Sequence, residues 1–585
     1  MNGTQLLLFL FPTFFKNHNE TKKKKNVASL QKTGNGAKTQ PNGTLDHRTV
    51  PPMGLTGRQF IDAATASIDE IEAYYSTVAS RPLLPDISPG YLRDLLPGQA
   101  PAKGEPWPEI QRDIERVVMP GMTHWQHPKF MAFFPASSSY PAILGELWSA
   151  ALTVPAFNWI CSPAVTELET VVLDWLAQIL GLPASFLSKG EGGGVIQGSA
   201  SEAIVTCMVA ARERYIKRQL GRQGITEPEE FEDKAYELRS KLVALGSDHT
   251  HSSTKKGAII AGTRFRSVEA LRSDAFALKG ENLRAKIEEL TAQGLHPYYL
   301  TVCLGTTNTA AVDDFASIAE VAKDYPDIWI HCDAAYAGSA LVLPEYHHIS
   351  QQMAMVDSFD MSMHKWLLVN FDCSCLFIQK RRDLTDALTI TPAYLRNQYT
   401  DSGLVTDYRD WQIPMGRRFR ALKIWFVLRT WGVEGLQRHI EHSMNIGSLF
   451  ANLMCSRLDL FEITTPPAFA LTVFTVKPLP KRTRALSDDD GTNGADPRRP
   501  WPDAPVPSPL QADEGLRHAA NQLTEEVYTL IEQRKEFFLT STVLGDVYAI
   551  RVVSGNAFAD EHHIRQAFAT IVSTTEEVLA KHRDA

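Results

Sequence analysis

The chain has 585 residues, 44% of them hydrophobic and 22% charged, with a formal net charge of −8. That length allows a large core and more than one domain, and the composition is that of a globular chain. The mild charge, with no dense basic patch, argues against nucleic acid as the partner. Seven cysteines (Cys161, Cys207, Cys303, Cys332, Cys373, Cys375 and Cys455) are scattered through apolar stretches without zinc-site spacing. So low a density points to a reducing compartment and a cytoplasmic protein.

"QLLLFLFPTFF" (residues 5–15) is apolar but shorter than the about 20 residues a membrane span takes. No basic region precedes it and no small-residue cleavage site follows, which disfavours a signal peptide. The run "KNHNETKKKK" offers contact with anionic lipid, but a disordered leader over 1–53 is the preferred reading. The Asn-x-Thr triplets at Asn2, Asn19 and Asn42 then carry no glycan.

Helical periodicity begins near Thr56 in "RQFIDAATASIDEIEAYYSTV" and returns in "EIQRDIERVV", giving an N-terminal helical segment over 54–120. "TELETVVLDWLAQILG" (166–181) reads as a helix with a Thr166–Glu169 capping box and Gly181 at its exit. Short apolar runs follow: "LVALGSD", "GAIIAGT", "YYLTVCLGTT", "IWIHCDAA" and "SCLFIQK". Read as buried strands alternating with helices, they predict an α/β large domain over 121–435 with a mainly parallel sheet. Residues 436–585 read as a smaller α/β domain, with strands in "FALTVFTVKP" and "VYAIRVVSG". The Pro-, Asp- and Gly-rich insertion 481–515 interrupts it and is expected to be disordered.

Four features carry chemistry. "EGGGVIQGSASEA" is a glycine-rich turn opening a helix at Ser199, Ala200 and Ser201. Such a start binds phosphate, though a flexible linker explains the glycines equally well, and no P-loop lysine follows. Asp333 ends the apolar run "IWIHCD". It is a turn or cap residue, or an anion that keeps a heteroaromatic nitrogen protonated. His249 and His251 follow another strand, and their spacing is poor for a metal but suits a ring stacked on a flat cofactor. Lys365, flanked by Trp366, Leu367 and Leu368, either snorkels to water or is a desolvated amine kept for imine chemistry. Together, an imine lysine, a pyridinium partner and a phosphate site match the needs of pyridoxal phosphate. No metal is expected.

Several motifs closely resemble those of the pyridoxal-phosphate-dependent aromatic L-amino-acid decarboxylases, the group II decarboxylases. They are "FPASSSYPAILGE", "SPAVTELETVVLDW", "GGGVIQGSASEA", "HCDAAYAGSA", "HKWLLVNFDCSCLF" and "DYRDWQIPMGRRFRALKIW". The resemblance runs from about 55 to 480 and resumes near 515. It implies a fold type I pyridoxal-phosphate transferase-like architecture with a seven-stranded large-domain sheet, and a homodimer clasped by helices near 55–120.

The resemblance also implies roles. Lys365 holds the cofactor, Asp333 pairs with the ring nitrogen, and Ala335 and His251 pack on opposite ring faces. Ser199, Ala200, Ser201 and His364 bind the phosphate, and Thr307 lies near the ring substituents. Tyr394 sits on a mobile lid and donates the proton at Cα, with His251 as a relay. Relatives with phenylalanine at the lid position divert to an aldehyde, so Tyr394 implies the amine product. Trp125, Phe133, Phe134, Pro135, Ala136, Phe157 and Gly416 match substrate-pocket positions, and Gly416 leaves room for an indole. Ala136 stands where many relatives have Thr or Ser. Ser362 stands where an animal-type relative has Asn, a donor on the phosphate side. The implied reaction is decarboxylation of tryptophan, tyrosine, dopa or phenylalanine to the arylalkylamine. The alternatives are oxidative deamination to an aromatic acetaldehyde, an inactive cofactor-binding scaffold, or an aminotransferase, for which no carboxylate-binding arginine signature is evident.

Overall fold

The computed structural model describes residues 54–390, 398–401, 405–478, 510 and 513–584. The leader, Tyr394 and nearly all of the 481–515 insertion lie outside the described residues. Two compact units divide at Ile68/Asp69. The described part of the first is the opening of helix α1 (Gly57–Thr77), whose Phe60, Ile61 and Ile68 are exposed.

In the second unit, the helices used below are α2 (Tyr140–Leu152), α3 (Pro163–Ile179), α4 (Ala200–Arg222) and α5 (Ser252–Ile260). The short α6 (Met363–Trp366) and the long α7 (Ala421–Cys455) follow, then α8 (Glu514–Arg534) and α9 (Glu561–Asp584). Helix α7 bends at Gly432, whose φ of 63° breaks its regular geometry. The boundary expected between 435 and 436 therefore falls inside this helix.

Seven strands form the larger sheet, in the order β1-β7-β6-β5-β4-β2-β3. They are β1 (Gly193–Gln197), β2 (Leu242–Ser247), β3 (Arg264–Val268), β4 (His296–Cys303), β5 (Trp329–Asp333), β6 (Ser358–Ser362) and β7 (Ser374–Ile378). The β3–β2–β4–β5–β6 run is parallel, and β7 is antiparallel to both β6 and β1. Helices cover both faces, so β1, β2, β5, β6 and β7 are buried along their whole length. This is the doubly covered geometry that makes parallel strands read as unbroken apolar runs. A second, four-stranded antiparallel sheet has the order β10-β11-β9-β8. It consists of β8 (Phe461–Ile463), β9 (Leu471–Val476), β10 (Thr540–Leu544) and β11 (Val547–Val553).

Three expectations need correction. "GAIIAGT" is not a strand but the end of α5 and the turn after it. Gly257 packs there against α4, where an added Cβ would meet Met208 Sδ at 3.0 Å. Strand β1 lies inside the stretch read only as a glycine-rich turn, because Gly193 and Gly194 hide a buried strand from any apolar pattern. The Thr166–Glu169 capping box does not exist: α3 starts one turn earlier, after Ser162. Glu169 instead accepts from Ile196 N at 2.9 Å and pairs with the buried Arg417 guanidinium at 2.6 Å. Gly181, with φ of 64°, does end the helix, and Leu182 N closes back on Ala177 O.

Candidate active site

Ligands of doubly wound sheets bind where the strands end, and the relevant ends here belong to β1, β2, β4, β5 and β6. A cavity of about 220 Å³ opens there. It is lined by Ser199, Ala200 and Ser201 after β1, His251 after β2 and Thr307 after β4, together with Asp333, Ala335, Ser362, His364, Lys365 and Phe134. Its wall also includes Cys303, Gly305, Thr306, Tyr336 and Phe371, which sequence reasoning missed. Tyr336 was within reach, three residues beyond Asp333 in the same motif. A larger groove of about 1020 Å³, lined by Glu191, Arg381 and Asp410 among others, contains none of the candidate residues.

Local structure fixes each group. β6 ends at Ser362, and the single turn of α6 carries Lys365. The segment before α2 straps that turn down: Ser137 N donates to His364 O at 2.8 Å, and Ser139 Oγ to Leu368 O at 2.7 Å. This strap brings Phe134 into the cavity, with its ring centroid 5.9 Å from Lys365 Nζ. Phe134 stacks on Tyr336 at 3.8 Å, and Tyr336 on Trp366 at 4.6 Å. Arg551, from β11, lies over Phe134 at 5.5 Å and donates to Thr307 O at 2.6 Å. No local signal could have found Arg551, because it reaches the site from the other sheet.

Burial pushes the Lys365 ammonium below its ordinary range, and Asp333 and Asp360 oppose that push. Asp333 spends Oδ1 on Ala335 N at 3.0 Å, leaving Oδ2 for the cavity. His251 caps α5: its Nδ1 accepts from Ser253 N at 3.2 Å. Burial lowers its pKa, with Asp333 opposing and Lys365 assisting. The ring is therefore neutral, with its proton on Nε2. His364 is alike: Nδ1 accepts from Cys373 N at 2.8 Å. Burial, helped by Lys365, lowers it to about 4. Both histidines thus offer a neutral Nε2–H. Ser199 caps the 23-residue α4, its Oγ accepting from Glu202 N at 3.2 Å. Glu202 in turn accepts from Gly198 N at 2.8 Å, one residue before the cap, which holds the chain entering the helix.

The remaining candidates do not converge on the cavity. Trp125 and Phe133 stack on one another at 5.8 Å and are 37% and 48% exposed. Gly416 is exposed, Phe157 and Ala136 are half-buried and Pro135 is buried, and none of the four lines the cavity. His249 packs beside Phe276 at 4.6 Å instead of joining His251. Among the described residues no cluster of potential metal ligands occurs.

A desolvated amine, a strand-end carboxylate with a free oxygen, a neutral imidazole and a helix N-terminus around one slot fit pyridoxal phosphate. They define the class: an enzyme of fold type I that uses this cofactor. The chain belongs to the pyridoxal-dependent decarboxylase family, whose conserved-domain model matches residues 89–477. It is 38% identical to tyrosine decarboxylase 2 of Narcissus pseudonarcissus over 90% of this chain and 96% of that protein. It is 37% identical to the aromatic-L-amino-acid decarboxylase of Rattus norvegicus over 91% of this chain and 100% of that one. The crystal structure of Oryza sativa TDC with PLP and tryptamine superposes with a TM-score of 0.79 at 35% identity, covering 91% of this chain and 100% of that one. Pyridoxal 5′-phosphate is the cofactor.

Proposed function

We propose that this chain is a carboxy-lyase that converts an aromatic L-amino acid to its arylalkylamine and carbon dioxide. The observation that carries the reading is the convergence of Lys365, Asp333 and His251 on one cavity beside the α4 N-terminus. Relatives named for tyrosine and for aromatic L-amino acids support the substrate class, and the Phe134–Tyr336 stack offers a flat apolar wall for such a side chain.

Bound pyridoxal phosphate supplies the ring that accepts the electron pair of the broken bond. The residues of the chain do the rest. Lys365, its amine favoured in the neutral form by burial, would be the nucleophile that anchors the cofactor. Asp333 Oδ2 would accept from the ring N–H and so favour the protonated ring. Ser199, Ser201 and the first-turn N–H groups of α4 would grip the phosphate, with the Nε2–H of His364 as a further donor. His251 would pack against the ring, and its Nε2–H would serve as a fixed hydrogen-bond donor there. Tyr394, the lid residue by resemblance, is the proton donor. A tyrosine there favours the amine over the aldehyde.

We read the enzyme as a homodimer. Tyr140, Leu144, Trp148 and Leu152 recur every fourth residue along α2 and are all 48–54% exposed. A contiguous apolar stripe of this kind marks a covered face. A second copy at this face would also complete the substrate end of the site, where Trp125 and Phe133 are exposed. The compartment is read as the cytoplasm: all seven cysteines are free. Among the described residues no helix is long and apolar enough to cross a membrane.

The experiment is direct. Purified chain with pyridoxal phosphate is offered tryptophan, tyrosine, dopa and phenylalanine in turn, with alanine as control, and products are identified by mass. Amine and carbon dioxide in equal amounts support the reading. Aldehyde with hydrogen peroxide, or no turnover of any of the four, overturns it.

A further inference from the structure

Behind the cavity, one face of β5 and β6 carries polar side chains that are completely buried. Asp333 and Asp360 are paired across these strands, so two carboxylates sit side by side in the sheet, and only Asp333 lines the cavity. Asp360 Oδ1 receives His331 Nε2 at 3.0 Å. On the other side of that ring, His331 Nδ1 meets Ser358 Oγ at 2.8 Å, and Ser358 Oγ receives Trp329 Nε1 at 2.8 Å. Asp360 Oδ2 receives Ser374 Oγ at 3.3 Å, and Ser374 Oγ meets Ser362 Oγ at 3.0 Å.

Donor and acceptor roles along this line follow from the charge on Asp360. Burial raises the Asp360 carboxyl, and the buried His331 ring opposes that from 3.0 Å. His331 is itself raised to about 10 against its own burial, with Cys207 and Asp360 favouring its charged form, so the two form an ion pair. As the anion of that pair Asp360 only accepts, and Ser374 gives its single hydroxyl proton to it. The Ser362–Ser374 contact then needs the proton of Ser362. On the other side, whether His331 carries one proton or two, its Nε2–H points at Asp360. Every donor converges on Asp360, and the Ser362 hydroxyl has no proton left for the cavity.

We propose that Asp360 is a positioning residue for the cofactor site: it turns the Ser362 hydroxyl so that an oxygen lone pair, not a proton, faces the slot shared with Lys365. Asp360 thereby makes the Lys365 wall an acceptor surface that favours positive charge on the lysine nitrogen. An anion is refused at Ser362 and directed to the Ser199–Ser201 end. This reverses the phosphate-side donor role that resemblance gives position 362, and it rests on the pyridoxal-phosphate reading above. The ionisable groups facing Asp360 are His331, Asp333, Lys365, Tyr299, Cys332 and Cys375. Those facing Lys365 are Asp333, Asp360, His251 and His364.

Asp360→Asn is close in shape, and it inverts the line. Its amide donates to Ser374, Ser374 donates to Ser362, and the Ser362 proton turns into the cavity toward Lys365. The full chain, freed of cofactor, is labelled with acetic anhydride across a pH series, and the Lys365 peptide is quantified by mass. Below the midpoint, labelling of Asp360→Asn is expected to run about tenfold faster, equivalent to a midpoint about one unit lower. Ser374→Ala, which breaks the line without touching a charge, is expected to shift labelling in the same direction by about two- to threefold. Should Asp360→Asn not fold, Ser374→Ala decides. A third arm measures pyridoxal phosphate affinity: Ser362→Ala is expected to stay within about twofold of the unmodified chain, since position 362 gives no proton to an anion. An unmoved midpoint in a folded variant, or a tenfold loss of affinity in Ser362→Ala, overturns the proposal. Reloading the same proteins with pyridoxal phosphate, then borohydride reduction and peptide mapping, separates the two readings. Cofactor held on Lys365 with an unmoved midpoint sinks only the role of Asp360, whereas no cofactor on Lys365 in the unmodified chain sinks the functional reading beneath it.

Discussion

Replacing Glu169 by alanine would leave the Arg417 guanidinium charged, buried and without its carboxylate. Both side chains are only 1% exposed, and their pairing is two-pronged at 2.6 and 2.9 Å. Removing one partner of such a pair costs about 3–5 kcal/mol, while replacing both with apolar groups of similar volume is often neutral or stabilising. With an unfolding entropy near 2.1 cal/mol/K per residue, a chain of 585 residues should lose about 2–4 °C in melting temperature. Glu169 also accepts from Ile196 N, three residues before the Ser199 cap, so the phosphate cradle should loosen and cofactor affinity fall. The assay is differential scanning fluorimetry on Glu169→Ala, Arg417→Met and the double variant Glu169→Leu/Arg417→Met, with cofactor titration in parallel. The double variant should recover at least half of what Glu169→Ala loses. A single variant within half a degree of the unmodified chain, or a double variant worse than the two singles combined, would refute the reasoning.

Asp333→Asn should lower turnover by about 10²–10³-fold, the usual loss for one preorganised electrostatic contact, while the cofactor is still retained. Steady-state kinetics on cofactor-saturated protein check this. Arg551→Met strips donors from Thr307 O, Asn308 O and Thr540 Oγ1. It should weaken cofactor binding by about 1–3 kcal/mol, read by fluorescence titration. His127, His364 and His439 are each lowered to about 4, with burial as the largest cause. Between an unfolded value near 6.5 and about 4, the unfolded chain takes up protons that the folded chain refuses. Stability is then full above about pH 6.5 and falls as pH drops toward 4, and His439→Gln should flatten that slope in urea titrations from pH 7 to 4.

The candidate site was legible where its chemistry is local in the chain. Asp333 ends a buried strand, and His251 and Lys365 each follow one; strand ends are where such sheets present functional groups. The α4 cradle was legible for the same reason, although β1 before it was hidden by Gly193 and Gly194, which carry no apolar signal. What could not be read depends on partners far away in sequence. Glu169 looks like a cap until Arg417 is found beside it, 248 positions later. Arg551 reaches Thr307 across 244 positions. "GAIIAGT" has strand-like composition, and only its packing on α4 makes it helical. Of the substrate-end aromatics matched by resemblance, Phe134 lines the cavity, whereas Trp125, Phe133 and Phe157 do not.

The central claim is that the amine of Lys365 is the covalent anchor for pyridoxal phosphate. Borohydride reduction of the loaded protein, followed by peptide mapping, tests it most directly. The account predicts one pyridoxyl tag, on Lys365, and no turnover after Lys365→Arg; a tag on another lysine, or undiminished turnover in that variant, would contradict it.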